Sequence, residues 1–282
     1  MQGSSIAGPQ LGRMNCAGKG RSVVRPYEAQ KLTAGRIGGR PPFAAQGKQK
    51  AVSTVRFFLF PSVVCPNLIF VVFFVRRIPV PAITSLFWDI GGVILTNGWD
   101  HNSRMEAVQT FSLDWEEFRE RHDLSFPAFD AGQITLNQYL DRTLFYRARS
   151  FSKEEFTVFM FAQSREYPET RAVLSDAART GKYYVASINN EPRELNDYRI
   201  EAFNLRKDFQ AFFSSCYLNA RKPEETIYRI ALEVSQRPPA NSVFIDDRPL
   251  NLENPRRLGM NVVHHQNAKQ LRSDLQALGI EV

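Results

Sequence analysis

From residue 181 onward, short apolar runs alternate with polar stretches of helical length, and no other feature of the chain narrows its fold as far. The runs are 182–188 (KYYVASI), 211–217 (AFFSSCY), 242–246 (SVFID) and 261–264. The stretches between and after them read as helices near 192–206 and over 223–236, 249–258 and 267–278. Strands alternating with helices of this length predict an α/β fold, a parallel sheet covered on both faces. A fifth run, Ile83 to Trp88, ends at Asp89 and is followed by Gly91-Gly92, a buried strand leading into a tight turn. Ligands of such sheets bind at the carboxyl ends of the strands. Asp89, Asn189 and the Asp246-Asp247 pair all fall at those ends, and Lys222 falls just beyond another.

Between the first strand and the rest, residues 102–180 are helical by period, with helices expected over 113–122, 136–148, 153–163 and 168–180. Ser112 and Thr135 are the expected N-caps. The aromatics Trp99, Trp115, Phe126, Phe129, Tyr139 and Tyr146 read mainly as the core of this helical segment.

Residues 1–80 differ in texture. They hold twelve Lys/Arg and one acid, Glu28, whereas the remaining 202 residues hold 24 Lys/Arg and 28 acids. The net charge of +7 is therefore a property of the first stretch, and a nucleic-acid face on the folded part is not expected. Residues 1–55 hold a single acid, Glu28, and no sustained periodicity, and read as a disordered basic extension. The apolar segment 57–75 is long enough for a bilayer, but Pro61 and Pro66 interrupt it and basic residues flank both ends. The preferred reading of 1–80 is an upstream extension that the domain does not need, with no membrane partner. Cys16, Cys65 and Cys216 match neither a zinc spacing nor a disulfide framework, and point to a reducing, cytoplasmic setting. His264-His265 follows a strand, where neighbouring side chains point opposite ways, so the pair is not read as a shared metal site.

The strand-end residues carry the chemistry. A carboxylate at Asp89, exposed before a glycine turn, can attack an electrophile. Adjacent carboxylates at Asp246-Asp247 repel one another and are costly to bury without a cation, and Mg2+ prefers such oxygen ligands. Lys222 precedes Pro223, which suits the first turn of a helix, so its ammonium is expected near an anion-favouring helix start. Asn189, with Asn190 beside it, offers a side-chain amide to a phosphoryl oxygen.

Four segments in chain order resemble the haloacid dehalogenase superfamily of phosphohydrolases. They are Phe87-Trp88-Asp89-Ile90-Gly91-Gly92-Val93, Ser187-Ile188-Asn189-Asn190, Arg221-Lys222-Pro223, and Phe244-Ile245-Asp246-Asp247-Arg248 through Leu258-Gly259. The resemblance implies a Rossmann-like three-layer core over 83–96 and 176–282, with 97–175 inserted as a helical cap of the kind found in the superfamily's first subclass. It implies a Mg2+-dependent phosphatase acting on a small phosphorylated metabolite through an aspartyl-phosphate at Asp89. Mg2+ would be held by Asp89, the Gly91 carbonyl and Asp246 or Asp247. Asn189 and Lys222 would hold the phosphoryl group, with Asn190, Gly91 and Gly92 at the substrate.

Two departures from the superfamily pattern stand out. Its phosphatases carry a second Asp two residues after the nucleophile, acting as general acid and base, and here that position is Gly91. The second segment's usual Ser or Thr is Asn189, with Ser187 two residues earlier on the same strand face. Either Asp100 or His101 supplies the proton, or the leaving group needs little protonation, as in an anomeric or aryl phosphate. Two other readings are a metal-independent haloacid dehalogenase, which would leave Asp246-Asp247 without a cation, and a weakly active or inactive binding protein on the same fold. The sequence does not fix oligomeric state.

Overall fold

The structure is a computed structural model that describes residues 82–282. The expectations for residues 1–80, the apolar segment 57–75 among them, lie outside the described residues. Five strands form one parallel sheet in the order β3-β2-β1-β4-β5, with β1 Ser85–Trp88, β2 Tyr184–Asn189, β3 Ala211–Ser214, β4 Ser242–Asp246 and β5 Asn261–His264. The central strand β1 pairs with β2 through Trp88–Ser187 and with β4 through Trp88–Ile245. These registers bring the ends of β1, β2 and β4 level, so that Asp89, Asn189 and Asp246 leave the sheet at one edge.

The sheet buries both faces, which is why its strands are continuous apolar runs rather than alternating ones. Leu86, Trp88, Val185, Val243 and Ile245 join an apolar cluster with helices α5 (Pro168–Arg179) and α10 (Ala268–Ala277). Phe87, Ala186, Ile188 and Phe244 join the opposite cluster with α8 (Glu225–Ser235). Each Val, Leu, Ile or Phe among them contributes roughly 1.5–3 kcal/mol on burial. The three layers expected from the alternation are present.

Between β1 and α5 lie α1 (His101–Thr110), α2 (Trp115–Asp130), α3 (Leu136–Thr143) and α4 (Lys153–Ala162). They close a third cluster of their own around Phe118, Phe129, Tyr139, Leu140, Phe156 and Met160, with Leu195 of α6 (Arg193–Ala202) packed against it. The boundary expected at residue 175 falls inside α5, whose Val173, Leu174 and Ala177 pack with the sheet.

Several local expectations shift for identifiable reasons. Thr135 caps α3 in a full capping box with Gln138. Ser112 instead adopts a left-handed conformation with φ 49°, and Asp114 caps α2 by accepting from the Glu117 amide. Residues 215–217, read as the end of a strand over 211–217, instead fall in a single helical turn, α7 (Ser215–Leu218), because β3 ends where Ser215 bonds to the Asp130 carbonyl. Pro223 does not open a helix: its peptide bond to Lys222 is cis and α8 starts at Glu225. The stretch 249–258 is a 3-10 turn, Pro249–Leu252, running into α9 (Glu253–Arg257). Among the described residues no helix is long and apolar enough to cross a membrane.

Candidate active site

At the carboxyl edge of the sheet, Lys222 is the hub. Its ammonium lies 2.8 Å from Asp89 Oδ1 and 2.7 Å from Asp246 Oδ2, and all three side chains are almost completely buried. Burial alone pulls the Lys222 ammonium down, but Asp246 and Asp89 together push it above its usual range. Burial pushes the Asp89 carboxyl up to about 8, while Lys222 pulls it back and Asp246 adds to the rise. The loop before α8 is what delivers Lys222. Asn190 accepts from the Lys222 amide at 2.8 Å and donates to its carbonyl at 2.9 Å, clamping the backbone on both sides.

The two acids of the expected metal pair are not equivalent. Asp246 is saturated: Asn251 donates to both its oxygens at 3.0 Å, the Arg248 amide to Oδ1 and Lys222 to Oδ2. Asp247 is half-buried, and its Oδ1 has no hydrogen-bond partner among the described residues. Burial, with Asp246 beside it, raises the Asp247 carboxyl. The Asp247 carboxylate lies over Gly92, where an added Cβ would stand 2.4 Å from Asp247 Oδ2; with φ +77° as well, the turn requires glycine. Carboxylate oxygens of Asp89, Asp246 and Asp247 fall within 4.8 Å of one another. A hard-oxygen cluster with one orphaned buried oxygen fits a divalent cation such as Mg2+.

Asn189 is placed differently from its expected role. Its Oδ1 accepts from Ser187 and Ser214, and its Nδ2 donates to Asn196, so its amide is committed beneath the sheet edge. Ser187, fully buried in the same network, is not exposed to a ligand either. The physical reason is that strand β2 turns this end residue toward β3 and α6, whose polar side chains satisfy it.

Beside the carboxylates' neighbours Gly91, Asn190 and Arg248 lies a cavity of about 340 Å3, walled on its other side by the helical insert, a size suited to a small ligand. Gly91, Asn97, Trp99, Asp100, His101, Asn190 and Arg248 are among its walls. A Cβ at Gly91 would meet Asn97 Oδ1 at 3.2 Å and the Arg199 guanidinium at 3.8 Å. Arg199 is buried and bonded to the Glu191 carboxylate and the Thr96 carbonyl. Asp100 caps α1 through the Ser103 amide at 2.9 Å, and His101 packs edge-on to Trp115.

A family model for haloacid dehalogenase-like hydrolases matches residues 83–258, more than half of the chain. The chain belongs to that family. A similar protein is flavin mononucleotide hydrolase 1 of Arabidopsis thaliana, described as chloroplastic, 26% identical over 173 residues that make up 61% of this chain and 69% of that protein. A solved HAD family enzyme from Bacteroides thetaiotaomicron, in complex with magnesium and inorganic phosphate, superposes with a TM-score of 0.57 at 20% identity, over 66% of this chain and 95% of that one. A predicted HAD-like hydrolase from Porphyromonas gingivalis gives 0.58 at 18% identity, over 71% and 99%. At these identities the structures bear on the fold, which is the Rossmann-like α/β arrangement of the haloacid dehalogenase-like hydrolases.

Within this family member, sequence reasoning missed Asn251, Asn196 and Glu191, all buried around the site. Asn251 carried a usable signal, since an amide five residues after a strand-end Asp returns to it across one 3-10 turn. Arg199 and Glu191 carried none, because their pairing depends on how α6 packs under the insert. Of the four histidines, His122 lines the cavity and was not assigned a role. Cys216 is buried and unpaired, and burial pushes its thiol up to about 12, as befits a core residue.

Proposed function

We propose that this hydrolase is a Mg2+-dependent phosphatase that cleaves a small phosphate monoester, with Asp89 as nucleophile. The observation that carries the reading is the Lys222 ammonium held between Asp89 and Asp246 while Asp247 keeps a buried oxygen unanswered. Asp89, Asp247 and the Gly91 carbonyl would hold Mg2+, and Asp246 would instead hold Lys222 in place. Bound there, Mg2+ would supply positive charge that keeps Asp89 ionised and neutralises the phosphoryl oxygens.

Asp89 Oδ attacks phosphorus, the bond from phosphorus to the leaving oxygen breaks, and that oxygen departs with its electron pair. Water then attacks the phosphorus of the aspartyl-phosphate, returning the Asp89 carboxylate and releasing inorganic phosphate. Lys222 steadies the charge that gathers on the phosphoryl oxygens, which is the main demand of such a transfer. Asn190 acts by positioning Lys222, and Asn189 by bracing the end of β2. Around Gly91 stand Asn97 and Arg199, neither of them an acid. That supports a leaving group which needs little protonation, or one served by Asp100 or His101 across the cavity.

The test is phosphate release from a panel of esters by the full chain, with and without Mg2+ and with Asp89→Asn as control. Flavin mononucleotide belongs in the panel because a relative is named for hydrolysing it. Activity is expected to need Mg2+ and to vanish in Asp89→Asn. Activity that survives Asp89→Asn overturns the reading.

A further inference from the structure

Four arginines line the cavity, of which Arg248 is exposed and meets Asn97 rather than a carboxylate. Arg199 is bonded to Glu191, and Arg221 lies 2.6 Å from Asp130. Arg104, on α1, has no carboxylate partner among the described residues. One of its amino groups donates to the Trp99 carbonyl at 2.7 Å, and its Nε is buried without a partner. Asp100 and Asp123 act on this half-buried guanidinium only from beyond ion-pair distance, so its unpartnered Nε and its charge are left for a ligand to complete.

Beside it, three side chains of the insert form a chain of hydrogen bonds. Trp99 Nε1 donates to Tyr139 Oη at 2.9 Å, because an indole nitrogen can only donate. Tyr139 Oη also lies 2.8 Å from His122 Nδ1. Tyr139 is fully buried, and no other acceptor for its proton is found among the described residues. The phenol therefore donates to His122 Nδ1, which fixes the proton of a neutral imidazole on Nε2. Burial, with the Arg104 charge nearby, pushes the His122 imidazolium down to about 3, so the ring is neutral and neither acid nor base at working pH. What His122 presents is an N–H donor, with Phe126 packed on its ring at 4.6 Å between centroids.

We propose that Arg104 and His122 form a recognition subsite for a second anionic group, a carboxylate or a second phosphate, on the leaving-group side of the substrate. The subsite rests on the phosphatase reading for the other end of the substrate. Both residues line the cavity, both offer donors and neither offers an acceptor, so the ligand group they meet is an acceptor. The positive charge of Arg104, which is in no ion pair among the described residues, selects an anion over a neutral hydroxyl. Tyr139 is a positioning residue that holds His122 in the donating tautomer.

The experiment compares kcat/KM for matched esters in the presence of Mg2+: a sugar bisphosphate against its monophosphate, and a carboxylated aryl phosphate against the plain one. Wild type is expected to favour one acidic member through KM, and the pair that shows it tells phosphate from carboxylate. Arg104→Ala is expected to collapse that acidic-to-plain ratio by roughly 10- to 100-fold, the range of a charged hydrogen bond. Arg104→Lys restores part of it, and His122→Asn lowers it less. Nitrogen-15 spectra of wild type are expected to show His122 protonated at Nε2. No preference in wild type while the plain ester is turned over overturns the subsite and leaves the phosphatase reading standing. A preference that persists in Arg104→Ala, or a His122 protonated at Nδ1, overturns it as well. Should no ester be turned over, the phosphatase reading fails. The subsite is then decided by calorimetric titration of the sugar phosphate and the hydroxybenzoate products, and equal affinity for wild type and Arg104→Ala overturns it.

Discussion

The sheet edge and the insert wall face the same cavity with opposite bookkeeping of polar groups. At the sheet edge nearly every charge is answered. Lys222 meets Asp89 and Asp246, Asn251 meets both oxygens of Asp246, and Asn190 clamps Lys222 by its backbone. Among the described residues, Asp247 Oδ1 is the carboxylate oxygen of this cluster that is buried without a partner. The insert wall is built of aromatics, with Arg104 in no ion pair and its Nε without a partner among the described residues, and with His122 held by Tyr139. A closed network fixes geometry and suits a reaction step that must not vary. An open set of donors on an aromatic wall leaves its satisfaction to the ligand, and suits the choice of substrate.

The harshest way to break the comparison is to open the closed side. Lys222→Ala leaves two buried carboxylates facing each other without a cation. A buried pair deprived of one partner loses about 3–5 kcal/mol, and removing a donor aimed at developing charge lowers kcat by about 10²–10³-fold. Thermal unfolding and phosphate release measure the two effects. A variant as stable as wild type would show that Asp89 and Asp246 take up a proton instead, and that the network is less closed than its distances imply.

How much of this contrast was legible in the sequence follows the same division. The three acids of the sheet edge were readable because each follows a buried strand, and a parallel sheet brings strand ends together whatever the side chains are. Asp89, Asp246 and Asp247 come together that way, whereas Lys222, expected at a helix start, arrives on the loop before α8. The distinction between Asp246 and Asp247 was not readable, since it depends on Asn251 coming back across a 3-10 turn. Asn189 misled for a related reason: a strand-end amide reads as a ligand donor, but Ser214 and Asn196 arrive from β3 and α6 to occupy it. On the insert wall, periodicity identified helices and aromatic core but could not separate Trp99 and Phe126, which line the cavity, from Phe129 and Tyr139, stacked at 4.4 Å within the core. Arg104 drew no expectation from the sequence, because its lost solvent is a property of packing between helices.

A second test acts on the strap between the two sides. Asp130 ends α2 of the insert and pairs with Arg221, next to Lys222 in the core. Burial pushes its carboxyl up to about 6, with Arg221 pulling the other way. A carboxyl whose folded value lies above its unfolded value of 3.8 binds a proton more readily in the folded state. Its favourable contribution is complete below pH 4 and is lost as pH rises through 6. A shift of this size corresponds to about 3 kcal/mol. The stability of wild type minus that of Asp130→Asn is therefore expected to fall by up to about 3 kcal/mol between pH 4 and pH 7, read from denaturant unfolding at each pH. A difference that stays flat, or rises, would mean that Arg221 outweighs burial and that the strap is a strong ion pair at neutral pH.

The smallest expected effect is the most discriminating, because it separates the two acids of β4's end. At Gly92 a methyl group would stand 2.4 Å from Asp247 Oδ2 and would force φ +77° on a residue with a Cβ. Single left-handed residues cost about 1–2 kcal/mol, so Gly92→Ala is expected to fold. Its Asp247 carboxylate must move, whereas Asp246, held from the other side by Asn251, Arg248 and Lys222, need not. If Asp247 is the acid that meets the cation, the Mg2+ concentration for half-maximal activity rises by about 10-fold, the range seen when groups around a metal are disturbed. The rate at saturating Mg2+ then changes far less. If Asp246 were that acid, the Mg2+ requirement would stay where it is in wild type. The closed network would then include the metal, and Asp247's unanswered oxygen would need another explanation.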